Sequence, residues 1–271
     1  MSLDRPIIVG ILNVTPDSFS DGGHYTTVAA AVARAETLAA EGATILDVGG
    51  ESTRPGALPV SEAEELERVL PVVEALARRL PSLLVSVDTV KSGVAERCLD
   101  HGAAIVNDVS GLRLDAAMAG LCAARNAGVI AMHSRGGVAQ MASLDQAHYP
   151  GGVVAEVAGE LGAALGRARS GGLQDERLVI DPGFGFGKTP EQNVELLRGL
   201  GALRVLGRPI MVGPSRKRFL GALTGRAVEE RDQATAAACA FAWAAGASLF
   251  RVHDAAPTRD ALAVAAAVNP R

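Results

Sequence analysis

The sequence is poor in aromatic residues and has no excess of positive charge. Only 3% of its 271 residues are aromatic, and the formal net charge is −4. Proteins that bind nucleic acids usually need aromatic side chains on which bases stack, or a basic surface for the phosphate backbone. We therefore expect no nucleic-acid partner.

Cysteine and long apolar runs are also scarce. Cys98, Cys122 and Cys239 are odd in number, far apart and surrounded by alanine-rich helical sequence, which favours buried thiols in a reducing compartment over disulfides or a metal site. The start MSLDRPIIVG has no charged segment followed by a long apolar run, so no signal peptide is expected. The apolar stretch at 236–250 is too short and too glycine-broken to span a bilayer. These features predict a cytoplasmic protein without a membrane partner.

Apolar β-branched runs alternate with helix-like sequence along the chain, of which 48% is hydrophobic. The segment 61–80 is the clearest helix, because Ser61 and Glu64 resemble a capping box and apolar residues follow on one face. The eight apolar runs are 7–12, 44–48, 83–88, 104–108, 129–133, 178–181, 210–213 and 249–253.

Eight strands, each followed by helical sequence, predict an α/β fold of the (β/α)8 TIM-barrel type. No linker or change of composition divides the chain, so we predict one domain over residues 1–271. An open doubly wound sheet is the alternative, and it usually carries a glycine-rich fingerprint after its first strand. Here the first strand is followed by NVTPDSFSDGG, which has no such fingerprint.

Polar residues stand at the end of every predicted strand. Active sites of TIM barrels lie at the C-terminal ends of the strands, so these side chains are expected to form a ring around one site. A single strand-end aspartate, such as Asp47 or Asp108, is equally compatible with a structural role, but the repetition favours a ligand site. The ring consists of Asn13, Asp47, Asp88, Asn107 with Asp108, His133, Asp181, Ser215 to Lys217, and Arg251 with His253.

The ring combines two kinds of chemistry. Asp88 and Asp181 can accept from paired N–H donors, Asn107 can donate and accept, and Lys217 can donate, which suits a flat heterocycle with an amidine-like edge such as a pterin or guanine. Other side chains suit an oxyanion such as phosphate or pyrophosphate, with a loop at 49–57 long enough to close over it. These are Thr53, Arg54, Arg251 and His253. Asn13 offers the single neutral oxygen that Mg²⁺ accepts when phosphates and waters complete its shell.

The stretch DPGFGFGKTP (181–190) resembles a nucleotide-binding P-loop at its end. However, Pro182 replaces the first glycine and removes an amide donor, and Asp181 would place a carboxylate at the mouth of a phosphate site. We interpret the glycines as letting the loop pass close beside a flat ligand while Asp181 points inward. On that interpretation Lys188 is expected to be a surface or loop cation.

Several motifs, in order and over nearly the whole chain, resemble those of the dihydropteroate synthase family. They are GILNVTPDSFSDGG (10–23), DVGGESTRPGA (47–57), SVDT (86–89), NDVSG (107–111), DPGFGFGK (181–188), SRKRFLG (215–221) and RVHD (251–254). The resemblance implies a transferase of folate biosynthesis with a TIM-barrel fold. Its reaction joins 6-hydroxymethyl-7,8-dihydropterin pyrophosphate to p-aminobenzoate and releases 7,8-dihydropteroate and pyrophosphate.

The resemblance also implies roles for individual residues. Pterin binding falls to Asp88, Asn107, Asp181 and Lys217, and Asn13 would contact Mg²⁺ on the pyrophosphate. Thr53, Arg54, Arg251 and His253 would surround the pyrophosphate oxygens, and Arg251 could also stack on the pterin. Pro55, Ser215 and Arg216 would border the p-aminobenzoate slot. Of these, the residues implied in catalysis are Asn13, Arg54, Asp88, Lys217, Arg251 and His253. The family further implies a homodimer formed through the later helices and a possible target of sulfonamides.

Two alternatives stay open. One is a non-catalytic pterin-binding paralogue, and the other is the pterin domain of a corrinoid-linked methyltransferase. The pyrophosphate and arylamine loops speak against both. One departure from the family pattern concerns the strand-5 loop, where Val138 stands at a position commonly held by proline. His133, just before that loop, can either pack at its strand end or contact substrate.

Overall fold

A parallel barrel forms the centre of the chain. The computed structural model describes residues 4–15, 24–52 and 58–270. Its strands lie in the order β6-β5-β4-β3-β2-β1-β8-β7 in one eight-stranded sheet. An isolated bridge between Ile180 and Ile210 joins the last two edges. The strands are β1 Ile7–Asn13, β2 Ile45–Gly49, β3 Leu84–Asp88, β4 Ile105–Asp108, β5 Gly128–Met132, β6 Leu178–Asp181, β7 Met211–Val212 and β8 Leu249–Val252.

Helices surround this sheet within the described ranges. Two of them, α7 and α8, separate β7 from β8, whereas single helices separate the earlier strands. The helices are α1 His24–Ala40, α2 Glu62–Arg79, α3 Ser92–Asp100, α4 Met118–Ala124, α5 Val153–Ser170, α6 Pro190–Arg198, α7 Arg218–Thr224, α8 Asp232–Ala244 and α9 Ala255–Val268. The predicted (β/α)8 barrel is therefore confirmed, with strand limits within one or two residues of those expected.

Local sequence explains where the clearest helices begin. Ser61 caps α2 by accepting a hydrogen bond from the Glu64 backbone N–H at 3.2 Å. The expected capping box is only half formed, because the Glu64 carboxylate binds Arg68 one turn later. A complete capping box begins α6, where Thr189 and Gln192 bond reciprocally and Pro190 occupies the first turn. That cap fixes the point at which the glycine-rich loop after β6 ends.

The barrel interior changes from apolar to polar along the strand direction. A buried cluster fills its lower part, made of Ile7, Val9, Ile45, Ile130, Met211 and Leu249. Neighbouring strands then place Asn13 beside Gly49, Gly49 beside Asp88 and Asp88 beside Asn107. Because side chains alternate between the two faces of a strand, residues two positions apart share the interior face. The apolar layer therefore supports a polar layer at the C-terminal ends.

Two further expectations can be compared with the fold. Cys98, Cys122 and Cys239 are all buried and free, as predicted. Among the helices of the described ranges, none is long and apolar enough to cross a bilayer.

Candidate functional site

An arginine at the end of β8 organises the polar layer. Arg251 Nε donates to Asp47 Oδ2 at 2.6 Å, and Arg251 Nη2 donates to Asp88 Oδ2 at 2.7 Å. Asn107 Nδ2 donates to the same Asp47 oxygen at 2.8 Å. Residues from β2, β3, β4 and β8 therefore form one hydrogen-bonded network. The structure brings together three of the predicted site residues, because Arg251 contacts Asp88 directly and is linked to Asn107 through Asp47.

Burial dominates the electrostatics of this network. It raises the pKa of Asp88 to about 7, partly offset by Arg251 and reinforced by Asp47. Burial also works against the Arg251 charge, but the neighbouring Asp47 and Asp88 outweigh it and raise the pKa of Arg251. The guanidinium therefore stays charged, whereas Asp88 can change its protonation state near neutral pH.

Asp181 lies at the end of β6 with its side chain buried. Its Oδ1 accepts a hydrogen bond from the Gly183 backbone N–H at 2.7 Å. Burial raises the pKa of Asp181 to about 6, against the opposing effects of Gly183, Arg251 and Lys217. Gly183 has φ 70°, and a Cβ there would overlap the carbonyl oxygen of His133, so only glycine fits this turn.

Lys217 approaches the same space from the loop after β7. Its Nζ lies 4.1 Å from the centroid of the Phe186 ring, within cation–π range. Burial lowers the pKa of Lys217 to about 8, aided by Arg251 and opposed by Asp181 and Asp88. Gly185 makes room for this side chain, since a Cβ there would stand 2.7 Å from Lys217 Cδ.

Several buried polar atoms in the polar layer have no hydrogen-bond partner among the described residues. They are Asp47 Oδ1, Ser86 Oγ and Asn107 Oδ1. A buried polar atom without a partner costs free energy, and such atoms are therefore expected to be rare unless a ligand or water satisfies them. The oxygens of the polar layer are thus chemically suited to receive a donor-rich ligand.

Ser215 and His253 form a pair beside this layer. The Ser215 hydroxyl oxygen accepts from the His253 backbone N–H at 3.1 Å, and it lies 2.9 Å from His253 Nδ1. Burial lowers the pKa of His253 to about 3, assisted by Arg251. With His253 neutral, one of its ring nitrogens carries a proton, and Nδ1 shares a hydrogen bond with the Ser215 hydroxyl.

The Arg216 side chain is fixed in one orientation by hydrogen bonds. Its guanidinium makes two hydrogen bonds of 2.8 Å with the Asp232 carboxylate at the start of α8. Its backbone N–H donates to Thr235, and its φ is 58°, in the left-handed region. The loop before α7 is therefore fixed between the barrel and α8.

Asn13 ends β1 with a half-buried side chain. Its Oδ1 and Asp88 Oδ2 would each lie 3.7 Å from a Cβ at Gly49, so glycine leaves space between the ends of β1 and β3. Within the described ranges, no group of three His, Cys, Asp or Glu side chains could hold a metal ion. Asn13 offers one neutral oxygen here, the type of protein ligand that the predicted Mg²⁺ site requires, and the magnesium site stays a prediction. Thr53, Arg54 and Pro55 lie outside the described residues.

Lys188, expected to be a surface or loop cation, lies in the loop after β6, but the expectation of a surface position is wrong. Its side chain is buried, with Nζ 3.0 Å from His133 Nδ1, Gly183 O and Phe186 O. The loop after β6 curls at its glycines, which returns Lys188 to the barrel instead of exposing it. His133 is packed at its strand end, because its other ring nitrogen lies 3.1 Å from Glu160. Both ring nitrogens thus lie beside protein groups.

The sequence analysis assigned no binding or catalytic role to two residues of the site. Asp47 belonged to the predicted ring but was equally compatible with a structural role, and the strand register shows that it lies two residues before Gly49 on the same face of β2. Phe186 gave no sequence signal beyond its place between glycines, yet it supports Lys217. The loop with Val138 also contributes, because Val138 packs against the buried cluster that contains Phe186 and Met141.

Comparisons with known proteins agree on one family. The family model described as pterin binding enzyme matches residues 9–253. The dihydropteroate synthase of Mycobacterium leprae is 45% identical over 273 residues, which cover 98% of this chain and 95% of the relative. A solved Xanthomonas albilineans dihydropteroate synthase with 4-aminobenzoic acid has TM-score 0.91 and 48% identity, covering 99% of this chain and 94% of the other. A Clostridium difficile dihydropteroate synthase solved with pteroic acid has TM-score 0.92 and 39% identity, covering 98% of each chain.

Proposed function

The chain belongs to the pterin-binding enzyme family, among the dihydropteroate synthases, and we propose that it performs their condensation. The reaction joins 6-hydroxymethyl-7,8-dihydropterin pyrophosphate to p-aminobenzoate. The carbon–oxygen bond to pyrophosphate breaks, and the arylamine nitrogen forms a new bond to the same methylene carbon and loses a proton. The products are 7,8-dihydropteroate and pyrophosphate.

The observation that carries the proposal is the set of acceptors at the barrel mouth, of which Asp181 and Asn107 are buried and Asp88 is half-buried. Asp88, Asp181 and the unpartnered Asn107 Oδ1 offer oxygens, and Lys217 offers N–H donors. A pterin presents an amino group and ring N–H donors along one edge and a carbonyl beside them. Buried carboxylates that accept such paired donors bind strongly, because charge-assisted hydrogen bonds are about twice as strong as neutral ones.

Cations near this ring would assist the departure of pyrophosphate. Arg251 is charged and lies beside the proposed pterin position, and His253 keeps a ring N–H that can donate. Thr53 and Arg54, from the loop outside the described residues, are proposed to reach the same oxygens. Mg²⁺, when bound through Asn13 and the pyrophosphate, would supply Lewis-acid stabilisation of the leaving group. Stabilising this developing charge is the main catalytic contribution in the proposal.

The second substrate is proposed to bind between Pro55, Ser215 and Arg216. Ser215 is fixed by His253, and Arg216 is fixed by Asp232. A preorganised loop needs little reordering when p-aminobenzoate binds, which limits the entropic cost. No side chain is proposed as a nucleophile, because the amine attacks the pterin methylene directly.

We also propose a homodimer through the later helices. Phe241 on α8 and Val264 and Val268 on α9 are each more than half exposed, at 70%, 66% and 71%. Exposed apolar side chains on two packed helices support a protein interface. The cytoplasm stays the predicted compartment, on the sequence features given above.

The decisive assay contains purified protein, the pterin pyrophosphate, p-aminobenzoate and Mg²⁺, with dihydropteroate measured by chromatography. Product formation that requires both substrates is the expected result. Tight pterin binding without product under any metal condition would instead indicate the non-catalytic paralogue. Methyl transfer from a methylated pterin to a corrinoid, without dihydropteroate, would indicate the methyltransferase domain.

A further inference from the structure

Lys188 is a buried cation with no role in the proposed reaction. Its ammonium donates to the carbonyl oxygens of Gly183 and Phe186, each at 3.0 Å, and lies 3.0 Å from His133 Nδ1. These acceptors use all three N–H bonds of the ammonium group. Taking a lysine charge out of water is costly, so its retention here requires compensation by these contacts.

The backbone held by Lys188 also holds two proposed pterin ligands. The Gly183 N–H donates to Asp181 at 2.7 Å, and the Phe186 ring lies 4.1 Å from Lys217 Nζ. Lys188 therefore binds the carbonyl of the residue that orients Asp181 and the carbonyl of the residue that supports Lys217. Moving either carbonyl would move a pterin ligand from its place.

The anchor of Lys188 is itself fixed from the outside of the barrel. The His133 backbone N–H donates to the Asp181 carbonyl at 2.8 Å, and His133 Nε2 lies 3.1 Å from Glu160 on α5. Burial, together with Lys188, lowers the pKa of His133 to about 4, so the ring is neutral. Its Nδ1 accepts from Lys188, and its Nε2 lies close to the Glu160 carboxylate.

We propose that Lys188 is a positioning residue for pterin binding, whose ammonium fixes the loop 183–186 and through it Asp181 and Lys217. The inference rests on the pterin site of the proposed function. The new element is that Lys188 acts on pterin binding without touching the substrate. The lysine of the P-loop-like stretch thus serves the loop backbone instead of a phosphate.

The charge of Lys188 gives the role a measurable signature. Burial lowers the pKa of Lys188 to about 7. Asp181 and Glu160 favour the charged form, while Arg135 and Lys217 oppose it. Loss of the proton leaves two N–H bonds for three acceptors, so one contact is lost as pH rises through about 7. Part of the pH dependence of pterin affinity should therefore disappear when Lys188 is replaced.

The test compares Lys188→Met, Asp181→Asn and the double variant by calorimetry with 6-hydroxymethylpterin. Lys188→Met keeps the side-chain length and removes the donors. We expect about tenfold weaker pterin binding, together with an Asp181→Asn effect that is clearly smaller in the Lys188→Met background. Kinetics should show the change mainly in KM for the pterin substrate. Additive effects, or an unchanged affinity, would overturn the proposal.

Controls separate positioning from general destabilisation. Leu262→Ala, which removes a buried side chain from α9, should lower the melting temperature without changing pterin affinity. If Lys188→Met does not fold, Lys188→Gln, which retains two N–H donors, replaces it in the same comparison of single and double variants. Failure of the unaltered protein to bind pterin would contradict the proposed function. Normal binding by both unaltered and Lys188→Met proteins would contradict only the positioning role.

Discussion

Arg251 and Asp47 form a hydrogen-bonded ion pair inside the barrel, with 2.6 Å between Nε and Oδ2. Their strands, β8 and β2, both flank β1. The Asp47 side chain is completely buried, and its second oxygen has no partner among the residues described. The pair fixes the guanidinium so that its Nη2 group donates to Asp88. Asp47 therefore determines the orientation of a residue that is proposed to touch both pterin and pyrophosphate.

Replacing Asp47 by asparagine should weaken both stability and binding. Removing one partner of a buried ion pair typically costs about 3–5 kcal/mol, and the remaining bond from Arg251 to Asp88 should keep the loss near the lower limit. Urea unfolding and pterin calorimetry would measure the two effects. Asp100→Asn, which disrupts the exposed pair with Arg125, is the matched control and should change neither. Unchanged stability and pterin affinity in Asp47→Asn would contradict the organising role of this pair.

Asp181→Asn should reduce pterin affinity strongly. The amide has one acceptor oxygen, so it cannot accept from both N–H donors as a carboxylate does, and losing one charge-assisted hydrogen bond costs about 1.5–3 kcal/mol. That corresponds to roughly 10–150-fold in the dissociation constant. Asp175→Asn, in the turn just before β6, offers a control, because its carboxylate pairs with Arg169 at the surface. Equal affinities for both variants would remove Asp181 from the proposed site.

The magnesium requirement should depend on Asn13. Asn13→Ala removes the only neutral side-chain oxygen proposed for the metal, so more Mg²⁺ should be needed for half-maximal activity. Metal-free binding of a pterin without pyrophosphate should change little, because Asn13 is not proposed to touch the ring. Titrating activity against Mg²⁺ and measuring metal-free pterin binding would check both statements. Equal losses in the two measurements would show that Asn13 contacts the pterin instead.

Pterin affinity should pass through a maximum near neutral pH. The raised pKa values of Asp88, about 7, and Asp181, about 6, mean that protonation removes acceptors as pH falls through this range. At the other limit, Lys188 loses its charge as pH rises through about 7, and Lys217 loses its charge as pH rises through about 8. Affinity should therefore decrease on both sides of pH 7–8. Calorimetry from pH 5.5 to 9 would test this, and Asp181→Asn should flatten the acidic limb. A pH-independent affinity would contradict the assignment of ionised acceptors.

Binding of the two substrates should be ordered. If the loops at 13–23 and 49–57 close around pyrophosphate, the arylamine slot forms only afterwards. Calorimetry should then detect p-aminobenzoate binding with pyrophosphate present and little without it. Arg54→Ala should abolish this coupling while leaving simple pterin binding intact. Equal p-aminobenzoate affinity in the free protein would contradict loop assembly.

Strand ends were the part of the fold that sequence predicted best. Apolar runs ending in Asp, Asn, His or Arg fix both the strands and the layer where Asp88, Asn107, Asp181 and Arg251 meet. The reason is geometric, since parallel strands in a closed barrel bring all their C-terminal ends to one rim. The family resemblance added roles for Thr53, Arg54 and Pro55 that the described structure leaves as predictions.

Loop geometry was the part that sequence could not predict. Linear distance from the strand end suggested an exposed Lys188, but three glycines with positive φ curl the chain back on itself. These are Gly183, Gly185 and Gly187, with φ of 70°, 79° and 54°. A lysine is expected at the surface unless its charge is compensated, and the compensating groups here are mainly backbone carbonyls. Backbone acceptors have no sequence signature, so the burial of Lys188 was invisible before the fold was known.

The barrel is weakly joined between β6 and β7, which pair among the described residues through the isolated Ile180–Ile210 bridge, with a hydrogen bond from the Ile180 N–H to Pro209 O. Asp181 lies on one side of this seam, and the loop carrying Lys217 lies on the other. A pterin that contacts both residues would therefore bridge the least hydrogen-bonded part of the barrel wall. Substrate binding should then slow amide exchange along the seam more than elsewhere in the sheet, so the ligand completes the closure of the protein that binds it.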